Sequence, residues 1–322
     1  MTATSGSHAR SFLLATCRVD GAPTPVVVVD GGHHPLAELV PELLVSPGAS
    51  GLMQVFGRWG AAEPVLVAAV DELRSGMRRC RDIGAPAEAA DWLSPLQYPA
   101  KVVCTGANYY DHVTKDGGHA SFSKEDNIPV FFLKPPTTTL VGQGPVRFPA
   151  QTQKLDYEIE LAFVIGEGGR NIPVEDAHRH VAGYTVAIDL SARDWQRHPK
   201  HLVKFDLFGG KAFDDSCPLG PGIVPARYVE ADALQLRLSI NGELRQDANT
   251  ADMIWPIAEL VARISEHVTL EPGDVVLTGT PSGVGLATGT WLRVGDVIDC
   301  EITGIGSMCV EIGATDSPQG GT

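Results

Sequence analysis

The 322-residue sequence has no hydrophobic run long enough to cross a membrane. A membrane-spanning helix needs about 18 consecutive apolar residues, and no stretch of this chain approaches that length. The first residues, MTATSGSHARSFLLATC, contain only a short apolar run and no small-residue cleavage site of a secretory signal. These absences predict a soluble protein that does not bind a membrane.

Basic residues are scarce relative to acidic ones. The chain has 25 lysines and arginines against 39 aspartates and glutamates, which gives a formal net charge of −14. Because binding to nucleic acid or to an anionic membrane needs a basic face, this balance argues against both kinds of partner. A small anionic substrate needs only a few local cations, so it remains compatible with the composition.

The cysteines form no CxxC pair. They are scattered along the chain, and several lie in apolar runs. A disulfide framework is unusual in a chain of this length, so we expect free thiols and a cytoplasmic location. The six cysteines are Cys17, Cys80, Cys104, Cys217, Cys300 and Cys309.

Internal repeats and a regular alternation of strands and helices are also absent. From Lys101 onward, short runs rich in β-branched residues are bounded by Gly, Pro, Asn or Asp, as in VFFLK and IELAFVIG. One helical pattern interrupts them, from about residue 252 to residue 267. The sequence therefore predicts a mainly β (α+β) fold with a few packed helices, and not a doubly wound sheet.

The N-terminal part has a different pattern. Two strand-like runs, FLLATCRV and PVVVV, flank the turn sequence DGAP and predict a hairpin. An Ala- and Pro-rich stretch at about 84–100 is typical of a linker. We predict a small N-terminal α+β domain at 1–95 with a disordered extreme N-terminus, a catalytic domain at 96–314 and a flexible tail at 315–322.

Three carboxylates lie in or next to apolar strands. In LDYEIELAFVIG, Glu158 and Glu160 point to the same side of a strand, opposite to Ile159, and Asp189 follows another apolar strand. Glutamates in such a strand more often face water. If the two strands are neighbours, however, the three carboxylates form an oxygen-rich site for Mg²⁺, Mn²⁺ or Ca²⁺. A divalent ion would neutralise most of their mutual repulsion.

Further polar clusters follow other strand-like runs. GANYYDH ends on His112, and histidine suits a general base because it titrates near neutral pH, although a lone histidine is more often structural. Lys211 follows a pair of glycines in FGGKAFDD. TGTPSGVG carries Thr280 but lacks the lysine of a nucleotide-binding phosphate loop. Each could be a simple strand connection, but together they are typical of an open pocket that accepts anions.

Four ordered segments resemble the fumarylacetoacetate hydrolase family. They lie between about Pro99 and Ile312, in the order found in that family. The resemblance implies the mixed β-roll of that family and a homodimer. The segments are GANYYDH, LDYEIELAFVIG with GYTVAIDLSARDWQ, GKAFDDSCPLGP, and SINGELRQ with PGDVVLTGTPSGVG.

The resemblance also implies roles for individual residues. The ligands of Mg²⁺ or Mn²⁺, with Ca²⁺ as a third option, would be Glu158, Glu160 and Asp189. The substrate-binding residues would be Arg193, Gln196 and Thr280. The catalytic residues would be His112, as the general base, and Lys211, which would hold carboxylate or oxyanion oxygens of the substrate.

By resemblance, the protein is a divalent-metal enzyme that acts on a 2-oxo acid or 1,3-dicarbonyl substrate, most simply by hydrolysing a C–C bond of an acylpyruvate. The metal would stabilise the enolate formed as the bond breaks, and His112 would deprotonate the attacking water. Two alternatives stay open. One is a non-hydrolytic member, such as an isomerase, hydratase, decarboxylase or biosynthetic tailoring enzyme. The other is a non-catalytic binder that retains the metal site.

One residue departs from the family pattern. Hydrolytic and decarboxylating members commonly carry a glutamate three residues after the histidine, where this chain has Lys115. A lysine cannot accept the imidazole proton, and its charge disfavours the imidazolium form of His112. Asp116, Glu125 or Asp126 could substitute for the glutamate. If none of them does, we expect poor hydrolysis of acylpyruvates.

Overall fold

The computed structural model describes residues 11–44 and 51–315. The predicted disordered N-terminus and nearly all of the predicted tail lie outside these residues. The strands are β1 (Leu13–Val19), β2 (Ala22–Val29), β3 (Gly32–Pro35), β4 (Trp92–Leu93), β5 (Val102–Gly106), β6 (Val130–Lys134), β7 (Leu140–Val141), β8 (Gly144–Arg147), β9 (Leu155–Asp156), β10 (Ile159–Ile165), β11 (Val181–Ile188), β12 (Ser191–Ala192), β13 (Cys217–Pro225), β14 (Gln235–Ile240), β15 (Glu243–Asn249), β16 (Val275–Leu277), β17 (Val297–Ile302) and β18 (Gly306–Gly313). The α-helices are α1 (Leu36–Leu39), α2 (Met53–Phe56), α3 (Trp59–Arg74), α4 (Arg193–Gln196), α5 (Leu207–Lys211), α6 (Ile257–His267) and α7 (Gly285–Thr288).

Most of the strands belong to one sheet of eleven strands. Its main path has the order β3-β2-β1-β13-β11-β10-β16-β5-β6, with β4 beside β1 and β7 beside β13. A second sheet of five strands has the order β15-β14-β17-β18-β8. Most pairs are antiparallel, but β16 with β5, β18 with β8 and β13 with β7 are parallel. This strand-rich mixture confirms the predicted α+β class.

The glutamate-bearing strand lies inside the large sheet. β10 pairs with β11 on one side and with β16 on the other, and all seven of its residues are buried. Burial on both faces excludes the alternative in which its glutamate faces water. The register pairs Ile159 with Ile188. Glu158 and Asp189 are therefore adjacent, and the Asp189 N–H donates to the Glu158 carbonyl at 2.9 Å.

The longest helix of the β-rich region packs its apolar face against the core. α6 buries Leu260 and Val261 in a large hydrophobic cluster. The predicted helix is confirmed, but it begins five residues later than about residue 252. The residue before a proline disfavours helical backbone, and Pro256 directly precedes α6. A 3₁₀ turn occupies Thr250–Asp252 instead.

The N-terminal strands continue the large sheet. The predicted hairpin is confirmed, since β1 and β2 pair antiparallel around Asp20 and Gly21, whose positive φ angles of 50° and 80° suit a tight hairpin turn. β1 also pairs with β13 through Leu14 and Ile223. One hydrophobic cluster combines residues from both parts of the chain. The predicted division into domains at 1–95, 96–314 and 315–322 stays a prediction.

The cysteines agree with the expectation of free thiols. All six cysteines are free. Burial raises the pKa of the Cys17 thiol to about 12, so this thiol stays protonated near neutral pH. Within the described residues, no helix is both long and apolar enough to cross a bilayer.

A buried glutamine connects the two sheets. Gln246 lies on β15, and its side chain is fully buried. Its Oε1 accepts from the Ile159 N–H on β10 at 3.0 Å. Its Nε2 donates to Thr280 Oγ1 and to the Pro281 carbonyl, both at 2.9 Å. Because an unpaired buried polar group is costly, this amide stabilises the junction between the sheets.

We expect Gln246→Leu to lower the free energy of unfolding by about 2–4 kcal/mol, because it leaves several buried partners without a hydrogen bond. Chemical denaturation measures the loss. Gln235→Leu is the matched control, since Gln235 on the neighbouring strand β14 is only partly buried and bonds the exposed Asp247. That change should cost less than about 0.5 kcal/mol. Equal losses in the two variants would contradict the role of Gln246.

Candidate metal centre and active site

Three buried carboxylates converge at one end of the β10–β11 pair. Glu158 directly precedes β10, Glu160 is its second residue, and Asp189 directly follows β11. Because β10 and β11 are antiparallel neighbours, the start of one strand lies beside the end of the other. The three residues each offer an oxygen, and these oxygens all lie within 4.8 Å of one another. The structure thus brings together the three carboxylates that the sequence singled out.

Lys211 and Arg193 donate hydrogen bonds to two of these carboxylates, Glu158 and Asp189. Lys211 Nζ donates to Glu158 Oε2 at 2.7 Å and to Asp189 Oδ2 at 2.5 Å. Arg193 donates to Glu158 Oε1 and, at 2.7 Å, to Asp156 Oδ2. Burial disfavours both cations, but the neighbouring carboxylates outweigh it and raise the pKa of both groups. Both side chains are therefore charged at any physiological pH.

Burial and charge move the pKa values of the two glutamates in opposite directions. Burial opposes the ionisation of Glu158, but Lys211 and Arg193 hold the pKa of this carboxyl below its ordinary range. For Glu160, burial and then the negative charges of Asp189 and Glu158 raise the pKa well above its ordinary value. Glu160 therefore resists ionisation, and a cation that binds here competes with a proton for this carboxyl group.

The donor set fits a hard divalent ion, to be held by Glu158, Glu160 and Asp189. Carboxylate oxygens are the ligands that Mg²⁺, Mn²⁺ and Ca²⁺ prefer. Asp189 Oδ1 is buried and forms an ion pair with Lys134 Nζ at 2.8 Å, without the geometry of a hydrogen bond. Asp156 is a fourth buried carboxylate of the site. The cations that pair with these carboxylates are Lys134, Arg193 and Lys211, so acidic groups outnumber basic ones by one. An ion would compensate the remaining negative charge.

His112 begins a π-helical turn, His112–Asp116, that follows β5. Its Nδ1 lies 3.0 Å from Asp116 Oδ2. A π-helical turn closes with an i→i+5 hydrogen bond, here from the Gly117 N–H to the His112 carbonyl at 2.9 Å. In this wide turn the fourth residue after the histidine faces it, whereas Lys115 is exposed. Asp116 is thus the acidic partner of His112.

The other two acidic residues proposed from the sequence are placed differently. Glu125 accepts a hydrogen bond from Ser123 Oγ at 2.9 Å, and Asp126 lies with it in an exposed 3₁₀ turn, Lys124–Asp126. Among the described residues, neither forms a hydrogen bond or an ion pair with His112, whose acidic partner is Asp116. The interpretation that one of them completes the pair is therefore not supported, and the neighbouring aspartate has that position.

Asp116 is fixed by further hydrogen bonds. It accepts from Ser282 Oγ at 3.0 Å and from the Gly283 N–H at 3.1 Å. Burial opposes its ionisation, but the hydrogen bond and charge of His112, with these two donors, lower the pKa of Asp116 below its ordinary value. The imidazole also belongs to the groups that lower the pKa of Glu158. One loop contacts both groups, because the Gly279 N–H donates to Glu160 Oε2 at 2.5 Å and the Gly283 N–H donates to Asp116.

The remaining predicted substrate-binding residues are buried beside the cluster. Gln196 Oε1 accepts from Arg193 at 3.2 Å. Thr280 Oγ1 donates to the Ile159 carbonyl at 2.8 Å and accepts from Gln246, so its hydroxyl is engaged within the protein. Substrate contacts by Arg193, Gln196 and Thr280 stay predictions.

Sequence reasoning missed two charged residues of the cluster. Asp156 accepts from the N–H groups of Gly285 and Leu286 at 2.6 and 2.9 Å, besides its bond to Arg193. Lys134 ends the edge strand β6 and is fully buried. The available signal was the same for both: a charged residue next to or inside a short apolar strand, as in VFFLK and LDYEIEL.

The comparison with known families identifies the same part of the chain. A family model described as the C-terminal region of fumarylacetoacetate (FAA) hydrolase matches residues 101–312, which include the carboxylate cluster and the histidine–aspartate pair. The chain belongs to the fumarylacetoacetate hydrolase family. This match confirms the resemblance seen in the four motifs. Its relatives identify the chain as an enzyme of this family.

Curated members of the family include oxaloacetate tautomerases. A mitochondrial oxaloacetate tautomerase from Xenopus laevis is 43% identical over 219 residues, which are 67% of this chain and 66% of that protein. The oxaloacetate tautomerase YisK from Bacillus subtilis is 41% identical over 226 residues, 68% of this chain and 72% of that protein. The chain thus matches about two thirds of the length of these relatives.

Solved structures of the family include hydrolases. A fumarylacetoacetate hydrolase from Exiguobacterium antarcticum has a TM-score of 0.71 and 30% identity, and the match covers 94% of this chain and 100% of that one. A fumarylpyruvate hydrolase from Pseudomonas aeruginosa, solved with Mn²⁺ and pyruvate, has a TM-score of 0.60 and 33% identity over 73% of this chain and 100% of that one. These neighbours confirm the predicted family fold.

We expect Asp189→Ala to weaken binding of Mg²⁺ or Mn²⁺ more than about 100-fold, because it removes one of three charged ligands. Titration calorimetry measures the affinity. Asp274→Asn is the matched control: Asp274 is equally buried, but it pairs with Lys101 at the start of β16, away from the end that leads to the cluster. Metal binding by the control should match the wild type. Unchanged affinity in Asp189→Ala would exclude the site.

Proposed function

We propose that this family member is a divalent-metal-dependent enzyme that moves a proton on a 2-oxo dicarboxylic acid of the oxaloacetate type, interconverting its keto and enol forms. The observation that carries the proposal is the pairing of His112 with Asp116 beside the three carboxylates. Relatives at 43% and 41% identity that are named oxaloacetate tautomerases support the same reaction.

His112 would act as the base. Because its Nδ1 is hydrogen bonded to Asp116 Oδ2, we assign the proton of the neutral imidazole to Nδ1, which leaves Nε2 free to accept a proton. Nε2 would take a proton from the carbon next to the 2-oxo group and return it to the oxygen, so that keto and enol forms interconvert. Asp116 would stabilise the imidazolium between the two transfers.

The carboxylate cluster would supply the electrostatic part of the reaction. A bound divalent ion would polarise the 2-oxo group and so make the neighbouring C–H more acidic. With that ion the cluster would have a net positive charge, which favours an anionic substrate. Lys211 and Arg193, held by Glu158, would offset negative charge that develops on the substrate oxygens.

Hydrolysis of an acylpyruvate C–C bond is the second candidate. It is supported by the fumarylpyruvate hydrolase solved with Mn²⁺ and pyruvate, at 33% identity. The same base, His112, would then take a proton from water instead of from carbon. Since Asp116 gives this base an acidic partner, the absence of a glutamate at Lys115 does not argue against hydrolysis.

The two reactions can be measured side by side. The purified protein is mixed with oxaloacetate, and loss of the enol is followed by its ultraviolet absorbance. Pyruvate release is measured separately from oxaloacetate and from an acylpyruvate. We expect enol–keto exchange that EDTA abolishes and Mg²⁺ restores, with slower pyruvate release. Fast cleavage of the acylpyruvate without exchange would favour the second candidate, and no metal-dependent reaction with either substrate would exclude both.

We expect Asp116→Asn to lower kcat at least about 100-fold, because the imidazolium of His112 loses its anionic partner. Steady-state rates at saturating metal measure the effect. Glu125→Gln and Lys115→Glu are the matched controls, since Glu125 and Lys115 lie in the same loop but are not hydrogen bonded to the histidine. Both should keep rates within a few fold of the wild type. Normal turnover by Asp116→Asn would contradict the assigned pair.

Three other expectations remain proposals. The family resemblance supports a homodimer. Free cysteines support a cytoplasmic location, although relatives named mitochondrial exist. We propose that the site binds Mg²⁺ or Mn²⁺ in preference to Ca²⁺. Three carboxylates leave coordination positions for water and substrate, which suits the smaller ions, whereas Ca²⁺ takes more oxygen ligands.

A further inference from the structure

Lys134 is a buried charged residue without a role in the chemistry described so far. It is the last residue of the edge strand β6, and its side chain is fully buried. The Phe213 ring covers its ammonium, with 5.7 Å between Nζ and the ring centroid. A buried ammonium persists only when its hydrogens and its charge are matched by oxygen partners. The partners of Lys134 therefore indicate what it does.

These partners come from three separate segments of the site. Lys134 Nζ lies 2.8 Å from Asp189 Oδ1, at the end of β11. It donates at 2.5 Å to the backbone carbonyl of Lys211, the last residue of α5. It also donates to the carbonyl and to the Oγ of Ser216, just before β13, both at 3.0 Å. The Lys134 ammonium thus connects the element that carries Asp189, a candidate metal ligand, with the element that carries Lys211, a candidate catalytic residue.

The contacts constrain both of these residues. Asp189 Oδ2 faces Lys211 Nζ at 2.5 Å and Oδ1 faces Lys134 Nζ, so the carboxylate is held from two sides and cannot rotate freely. The backbone of Lys211 is held by Lys134 and by Ser216 Oγ, which donates to the same carbonyl at 2.9 Å. The side chain of Lys211 then projects from a fixed base toward Glu158.

We infer that Lys134 is a positioning residue, which orients Asp189 for the divalent ion and Lys211 for the substrate without contacting either ligand. The inference rests on the proposed metal centre but not on the identity of the reaction. A simpler role would be charge neutralisation alone. The two roles predict opposite changes in the affinity for a divalent ion when Lys134 is replaced. Removing only a positive charge near a cation site tightens cation binding, whereas releasing Asp189 weakens it.

The test is Mn²⁺ binding by Lys134→Met, measured by titration calorimetry at one pH and compared with the wild-type protein. We expect the affinity to fall about 10–100-fold, the range found when a residue that supports a metal ligand is lost. We also expect kcat to fall more than KM changes at saturating Mn²⁺, since Lys211 is displaced. Unchanged or tighter Mn²⁺ binding would overturn the inference.

A matched control separates positioning from general loss of stability. Lys101 lies next to β5, the strand that pairs with β6, and its Nζ is 2.9 Å from the fully buried Asp274. Lys101→Met removes a comparable ion pair that does not contact the cluster, so it should lower the melting temperature and leave Mn²⁺ affinity unchanged. An equal loss of affinity in both lysine variants would overturn the inference.

A second variant keeps the test decisive if Lys134→Met does not fold. Ser216→Ala removes one acceptor of Lys134 and one donor to the Lys211 carbonyl, and it leaves every charge in place. We expect Mn²⁺ affinity to fall a few fold and kcat to fall more than KM changes. Wild-type affinity and kcat in a folded Ser216→Ala would count against the inference. A wild-type protein that binds Mn²⁺ but catalyses neither candidate reaction would refute the proposed function alone.

Discussion

Mutual repulsion among three buried carboxylates is the constraint on which the arrangement of this protein depends. Glu158, Glu160 and Asp189 lie within 4.8 Å of one another in the interior, where like charges resist joint ionisation. Nearby cations reduce this repulsion. Arg193 forms an ion pair with Glu158, and Lys211 and Lys134 form ion pairs with Asp189. One divalent ion would complete the compensation.

Backbone N–H groups of the glycine-rich segment TGTPSGVG also compensate the negative charge of the site. They donate to three acidic residues that belong to different parts of the site. Glycine is required where this backbone comes close: Gly279 has a φ of +93°, and a Cβ there would lie 2.7 Å from Asn108 Cβ. The donor–acceptor pairs are Gly279 with Glu160, Gly283 with Asp116, and Gly285 with Asp156.

The sequence predicted the parts of the fold and site that follow local rules. Period-two and turn patterns predicted the β1–β2 hairpin, and motif order predicted the family and the carboxylate set. Properties that depend on long-range packing were not predictable. Lys134 resembles an ordinary charged residue at the end of a strand. The glycine-rich sequence after His112 does not predict the π-helical turn in which Asp116 faces the histidine. The N-terminal strands join the large sheet through the pairing of β1 with β13. Local sequence patterns do not predict such a long-range contact.

Anomalous diffraction from crystals grown with Mn²⁺ tests the metal centre most directly. A single strong peak is expected about 2.0–2.3 Å from one oxygen each of Glu158, Glu160 and Asp189, in the range for hard divalent ions. Lys211 should stay within hydrogen-bonding distance of a carboxylate oxygen that the ion does not use. A peak at another position, or none at saturating Mn²⁺, would contradict the assignment of this cluster as the metal site.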